Sequence, residues 1–176
     1  MNLRPLKRVR YTTGLVLGAD DFLGEQDYFR EKSRRHNRTL HGFGVVCGLE
    51  VEAGQGVLVI QPGLALSCEG EEIVVPRQVE MALPATRRSA YVTLSYAERE
   101  TDPVPVVETE EMVQYSRVEE TYELAYLSEN PSAGHTRKKS RCLPCGVSHG
   151  IPLARIAYQA GRWRIDRRFH PPQAGK

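Results

Sequence analysis

One stretch, residues 17–51, constrains the fold more than any other because it specifies a helix, a turn and a strand in succession. Asp20 or Asp21 can act as the N-cap and accept hydrogen bonds from the first free backbone N–H groups. Acidic residues predominate in the first half and basic residues in the second, an order that complements the helix dipole. Gly42 suits the left-handed position that often closes a helix. The pattern predicts a helix from Asp20 to His41.

One face of this helix is apolar at its ends and polar in its middle. The residues at helical spacing on this stripe are Phe22, Gln26, Phe29, Ser33, His36, Asn37 and Leu40. Buried polar groups need defined hydrogen-bond partners. We therefore expect Gln26, His36 and Asn37 to be buried and bonded to the backbone of a neighbouring loop, in a structural polar stripe that also includes His41. A ligand site is the alternative.

Three glycines follow the helix: Gly42, Gly44 and Gly48. Their spacing is GxGxxxG rather than GxGxxG, and they lie after a helix and before a strand. A phosphate-binding loop needs the reverse order, so that a helix N-terminus faces the anion. We interpret them as backbone-critical residues that close the helix and permit tight turns.

From Val45 onward the pattern has the period of two that is typical of strands, interrupted by closely spaced turn signals. The predicted strands are 45–51, 57–60, 64–68, 72–75, 90–97, 118–127, 151–158 and 162–165. The predicted fold class is α+β, mostly β, with a long N-terminal helix packed on a small antiparallel β-sheet or barrel.

A chain of 176 residues suits one domain. We assign residues 1–19 to an N-terminal extension and first strand, and residues 20–176 to a single domain. Its expected parts are the helix 20–41, an antiparallel β body over 45–165, an exposed acidic arm at about 98–112 and a basic CxxC loop at 130–150. Few apolar residues in the arm can fold against the domain, so Val104, Val106 and Val107 are expected to pair with a neighbouring subunit.

Composition narrows the class of protein. The formal net charge is +2, which gives no global reason for nucleic-acid or membrane binding. The basic start lacks the apolar core of a signal peptide. We expect folding and assembly in the cytoplasm. Sequence motifs for a serine nucleophile, a zinc protease or a P-loop are absent, so we expect no catalytic residues and no enzyme activity.

Cys142 and Cys145 have the two-residue spacing of a zinc knuckle. A closed site needs two more ligands, and the candidates are His135, His149, Cys47 and Cys68. Cys47 and Cys68 share strand faces with aliphatic residues, so we expect both of these cysteines in the core. We expect no cofactor and less than one equivalent of zinc, with Cys142 and Cys145 as the candidate metal ligands.

Two basic runs, 137–141 and 162–168, are the remaining charged features, the second interleaved with Trp163 and followed by Phe169. Such runs can bind nucleic acid through phosphate contacts and base stacking. They also fit a solvated surface, or a subunit contact with the acidic arm. We expect no nucleic-acid partner.

Residues of the helix and corner also match two motifs of a known family. Leu17, Asp21, Phe22, Glu25, Gln26 and Tyr28 match L-x-x-x-D-F-x-x-E-Q-x-Y. Residues 34–51 match R-x-H-N-x-x-L-H-G-x-G-V-V-x-G-L-x-V, and shorter matches lie at 62–66, 70–73, 96–98, 116–124 and 152–156. In these motifs the chain closely resembles small proteins encoded with contractile, phage-tail-like injection systems.

The resemblance implies a structural part of the particle, near the baseplate, spike or fibre attachment. It implies copies of the chain itself and other particle proteins as partners, in a particle that is released or anchored after assembly. The family pattern carries no catalytic residues. The alternatives from the residues themselves are a zinc-stabilised or nucleic-acid-binding module, and a carbohydrate- or surface-binding fibre component.

Overall fold

The computed structural model describes residues 4–85, 88–105, 113–133, 145 and 149–175. Helix α1 covers Ala19–His36 and continues into a π-helical turn, Asn37–His41. The strands that follow are β1 (Gly44–Gly48), β2 (Val51–Ala53), β3 (Val57–Ile60), β4 (Gly63–Leu66), β5 (Glu72–Val75), β6 (Val79–Ala82), β7 (Ala90–Pro105), β8 (Val113–Leu127), β9 (Ile151–Gln159) and β10 (Arg162–Ile165).

The helical region has the predicted extent but a different N-cap. Gly18 occupies that position, and its backbone N–H donates to the Asp21 carboxylate at 2.9 Å. Asp21 therefore stabilises the start of the helix from its first turn rather than as the cap itself. At the other end the N–H of Gly42 donates to the carbonyl of Asn37 at 3.1 Å, and the positive φ of Gly42, 77°, ends the helical path.

The strands form three antiparallel sheets in the described part of the chain, with orders β1-β4-β5, β2-β3-β6 and β10-β9-β7-β8. One buried cluster joins the first sheet to β7 and β9, and includes Val45, Ile73, Val75, Leu94 and Ile151. A second cluster joins β3 to the same two strands: Leu58, Ala90, Val92, Ala154 and Ile156. The predicted mostly-β α+β class is confirmed, and the core lies between sheets.

The long ribbon of β7 and β8 differs from the prediction. The two strands pair from Tyr91 with Leu127 out to Pro105 with Val113, so residues 98–105 of the predicted arm are strand, and β8 begins five residues before the predicted strand at 118. Two paired strands satisfy each other's backbone groups, and their side chains can stay in solvent on both faces. The acidic, proline-bearing sequence therefore suits an exposed ribbon and needs no apolar face.

Three further details depart from the predicted strands. Residues 4–18, all of them described, contain no strand, so the expected first strand is absent there. Strand β6 was not predicted. The predicted strand 45–51 is broken at Leu49, whose φ is +64°, into β1 and β2. The last hairpin has the predicted turn, with positive φ at both Ala160 and Gly161.

Candidate functional site

Helix α1 presents its apolar face outward. Phe22 and Phe29 of α1 are 55% and 56% exposed, and Leu40 of the π-helical turn is 60% exposed; α1, whose residues are all described, contributes no buried residue. The half-buried side chains on its inner side are nearly all polar: Asp21, Glu25, Tyr28, Glu31, Arg34 and Arg35. This is the reverse of the usual arrangement, in which an apolar stripe faces the core.

The predicted burial is therefore wrong for two of the three residues, Gln26 and His36. Gln26, His36 and His41 are exposed, because the stripe to which they belong faces away from the sheets. Water can satisfy their polar groups, so they need no protein partner there. Asn37 alone among the four is buried.

Charged side chains join the inner side of α1 to the body. Arg30 pairs with Glu98 at 2.8 Å, and Arg34 pairs with Glu71 at 3.3 Å. These groups are partly exposed, so each pair contributes little to stability, on the order of 0–1 kcal/mol. Other contacts must therefore supply most of the free energy that holds the helix against the sheets.

The end of the helical region is fixed to the turn between β4 and β5. The Asn37 side-chain amide donates to the Gly70 carbonyl at 3.0 Å, and the buried Arg38 donates to the Glu69 carbonyl at 3.1 Å. Gly70 has a φ of +93°, and a Cβ there would lie 2.1 Å from the carbonyl oxygen of Arg34. The turn and the helix backbone are in direct contact. The sequence prediction missed Arg38 and Gly70, since neither carries a local signal of this long-range contact.

The three predicted corner glycines all have positive φ, but their surroundings differ. A Cβ on Gly44 would lie 2.4 Å from the Pro172 carbonyl oxygen, and one on Gly48 would lie 2.1 Å from that of Pro62. A Cβ on Gly42 would meet nothing within 4 Å. The close approach at Gly44 comes from the C-terminal segment, since the Val45 N–H donates to the Pro172 carbonyl at 2.8 Å.

The two cysteines expected in the core lie in different environments. Cys68, in the β4–β5 turn, is buried, whereas Cys47 on β1 is exposed. The register of β1 against β4 shifts between Val45 and Cys47, which is the signature of a bulge. The bulge interrupts the alternation of sides, so Val45 is buried and Cys47 is not. The prediction for Cys47 is corrected accordingly.

Cys68 meets two residues from the predicted CxxC region. The ligand atoms of Cys68, Cys145 and His149 all lie within 4.8 Å of one another, and Cys145 Sγ is 3.1 Å from His149 Nε2. The pKa of Cys68 is raised to about 11, chiefly by burial and in smaller part by the nearby Cys145 and Glu69, against the lowering effect of a hydrogen bond from the His149 backbone. Cys142 and His135 lie outside the described residues.

A basic concave surface lies on the last hairpin and the residues after it. The concavity encloses about 1420 Å³ and is lined by five arginines: Arg155, Arg162, Arg164, Arg167 and Arg168. Arg155 pairs with Asp166 at 3.2 Å and lies over the ring of Tyr91. The other predicted basic run, 137–141, lies outside the described residues.

The predicted assembly arm is only partly described. Val104 is 38% exposed near the end of the ribbon, and Val106 and Val107 lie outside the described residues. Strand β8 is the last strand of its sheet, so the ribbon has an edge that a further strand could join. Pairing of the arm with a neighbour stays a prediction.

The fold is similar to that of solved baseplate proteins of the type VI secretion system. A chain of the TssK-TssF-TssG baseplate subcomplex matches with a TM-score of 0.54 at 16% identity, covering 96% of this chain and 62% of that one. TssK in its crystal structure matches at 0.57 and 12% identity, covering 96% and 42%. A chain of the type VI baseplate complex matches at 0.53 and 16% identity, covering 96% and 60%.

This chain thus spans about two fifths to three fifths of the length of those chains. No protein-family model matches it, and no curated protein sequence matches it. Among the helices that the structure describes, none has the length and apolar character to cross a bilayer. The resemblance to proteins of contractile injection systems is confirmed at the level of fold, since this chain folds like part of a type VI secretion baseplate protein.

Proposed function

We propose that this protein is a structural subunit of the baseplate of a contractile injection system or a related phage-tail-like particle. The observation that carries the proposal is the fold match, which extends over 96% of the chain in baseplate proteins. The protein's task would be to hold neighbouring subunits in place. It would act through surfaces rather than through catalytic residues.

The outward face of α1 supports an assembly role. Large apolar side chains grouped on one face of a helix commonly mark a protein contact. Covering a side chain such as Phe29 contributes about 1.5–3 kcal/mol relative to leaving it exposed. Because α1 buries none of its residues in its own domain, a neighbouring subunit is the natural source of this burial.

We assign the α1 face to contact with a second copy of the chain. Among the exposed residues of α1, the acidic Asp20 and Asp27 lie in its first half and the basic Arg30 and Lys32 in its second half. An antiparallel copy would place the acidic half of each helix beside the basic half of the other, which is the self-complementarity that a two-fold contact requires. The ribbon edge of β8 would then remain available to another particle protein.

The test compares Phe29→Glu with Val74→Glu in the full chain. Val74 is an exposed apolar residue on β5, 55% accessible, and so provides a matched control away from α1. Sedimentation equilibrium should show an oligomer for the wild type and Val74→Glu, and at least about a tenfold weaker association for Phe29→Glu.

Both substitutions are at exposed positions, so circular dichroism spectra should match the wild type. A wild-type chain that stays monomeric at all concentrations would overturn the assignment to a second copy. Retention of Phe29→Glu in purified particles at the wild-type copy number would show that the α1 face is not an assembly contact.

A further inference from the structure

The cluster of Cys68, Cys145 and His149 plays no part in the proposed baseplate contacts. Its members come from two separate places in the chain, the β4–β5 turn and the segment before β9. The fold brings their sulfur and imidazole atoms to within 4.8 Å of one another. Two thiols and an imidazole converging from distant segments form a set of metal ligands.

We propose that Cys68, Cys145 and His149 bind a zinc ion. Thiolate and imidazole are the ligands that Zn²⁺ takes in structural sites, whereas Mg²⁺ and Ca²⁺ prefer oxygen. Zinc bond lengths of about 2.3 Å to sulfur and about 2.0 Å to nitrogen place a tetrahedral sulfur about 3.5 Å from the nitrogen and about 3.8 Å from the other sulfur. The 3.1 Å separation of Cys145 Sγ and His149 Nε2 is close to this spacing. Binding would release the protons of the two thiols to solvent.

The turn that carries Cys68 is held in shape by its neighbours. The Ser67 hydroxyl accepts from the N–H of Glu69 at 3.2 Å and of Glu71 at 3.0 Å, and donates to the Glu71 carboxylate at 2.6 Å. The backbone of His149 also hydrogen-bonds the Cys68 sulfur. Fixed ligand positions of this kind favour metal binding, because the chain loses little freedom when the ion arrives.

The location gives the ion a structural role. The same turn accepts the hydrogen bonds from Asn37 and Arg38 that hold the end of the helical region. An ion bridging Cys68 to Cys145 and His149 would tie the segment before β9 to this turn. It would thereby make the turn to which the helical region is attached more rigid.

Metal analysis of the full-length protein tests the site. Protein expressed with zinc and purified without chelator should hold about one zinc per chain. Cys145→Ser and His149→Gln, both at accessible positions, should lower the zinc content by at least about tenfold relative to wild type. Cys47→Ser is the matched control, because Cys47 is an exposed cysteine outside the cluster, and it should retain the wild-type content.

Cobalt substitution of the wild type gives a second readout that does not depend on the stability of any variant. Bound Co²⁺ should show thiolate-to-metal charge-transfer absorption, and added zinc should abolish it. Zinc below about a tenth of an equivalent after reconstitution, with no such absorption, would overturn the site. So would a Cys68–Cys145 disulfide in the purified protein, seen as a reductant-sensitive loss of two hydrogens in the intact mass.

Discussion

The side-chain amide of Asn37 donates to the backbone carbonyl of Gly70 at 3.0 Å, and this bond fastens the end of the helical region to the β4–β5 turn. The bond is buried, whereas the ion pairs along α1 are partly exposed. A buried hydrogen bond contributes more than an exposed ion pair when its loss leaves a polar group unsatisfied. The attachment of α1 to the sheets therefore depends mainly on contacts at the C-terminal end of the helical region.

Asn37→Ala should destabilise the protein by about 1–3 kcal/mol, because the Gly70 carbonyl loses its donor in a buried place. Urea denaturation measures the free energy of unfolding. His36→Ala is the control, since His36 is exposed on the neighbouring position, and it should change stability by less than about 0.5 kcal/mol. Equal effects of the two substitutions would contradict the role given to Asn37.

The corner glycines should differ in their tolerance of a side chain. Gly42→Ala introduces only the strain of a positive φ, about 1 kcal/mol, because the space around it is open. Gly44→Ala should cost more, since its Cβ would also collide with the Pro172 carbonyl oxygen. In thermal melts, the melting temperature of Gly44→Ala should be lower than that of Gly42→Ala, and both should be lower than that of the wild type. The opposite order would show that the C-terminal segment around Pro172 moves away from a new Cβ at little energetic cost.

The ribbon should be dispensable for folding and required for assembly. Replacing residues 100–118 by an Asn-Gly turn would close β7 and β8 next to the paired Arg99 and Glu119. Both buried clusters lie outside the deleted stretch, so the cooperative melt should remain. The shortened chain should be missing from purified particles. Normal incorporation of the shortened chain would remove the ribbon from the assembly contacts.

Tyr96 should make stability fall at alkaline pH. Burial, and then its hydrogen bond to Glu98, raise the pKa of Tyr96 well above its ordinary value. The folded state therefore keeps this proton after the unfolded state has released it, so stability is full below about pH 10 and falls as pH rises beyond it. The loss can reach at most about 1.4 kcal/mol per pH unit. The free energy of unfolding of Tyr96→Phe should decline less steeply than that of the wild type between about pH 9 and 11. Equal slopes for the two proteins would refute this role of Tyr96.

Local signals in the sequence were enough to predict much of the fold. The charge order and Gly42 gave the helical region nearly to its last residue, since capping and dipole effects act within one turn. Alternation with a period of two located most of the strands. The turn at Ala160 and Gly161 followed from the hairpin pattern, because short hairpins favour residues that tolerate positive φ.

The parts that the sequence did not predict depend on contacts between distant residues. Which face of α1 meets the body is set by Arg34, Asn37 and the β4–β5 turn, and these contacts outweigh the apolar stripe. A single bulge after Val45 moved Cys47 to the surface. The meeting of Cys68 with His149 requires the whole β body between them to be folded, so spacing along the chain could not reveal it.

The composition of purified particles shows whether the chain is a baseplate subunit. Intact contractile particles from cells that express the tagged chain would be analysed by quantitative mass spectrometry, alongside sheath–tube assemblies that lack a baseplate. We expect several copies of the chain per complete particle, in a fixed ratio to the other baseplate proteins, and none in the baseplate-free assemblies. Complete and functional particles without any copy of the chain would show that it is not a baseplate subunit.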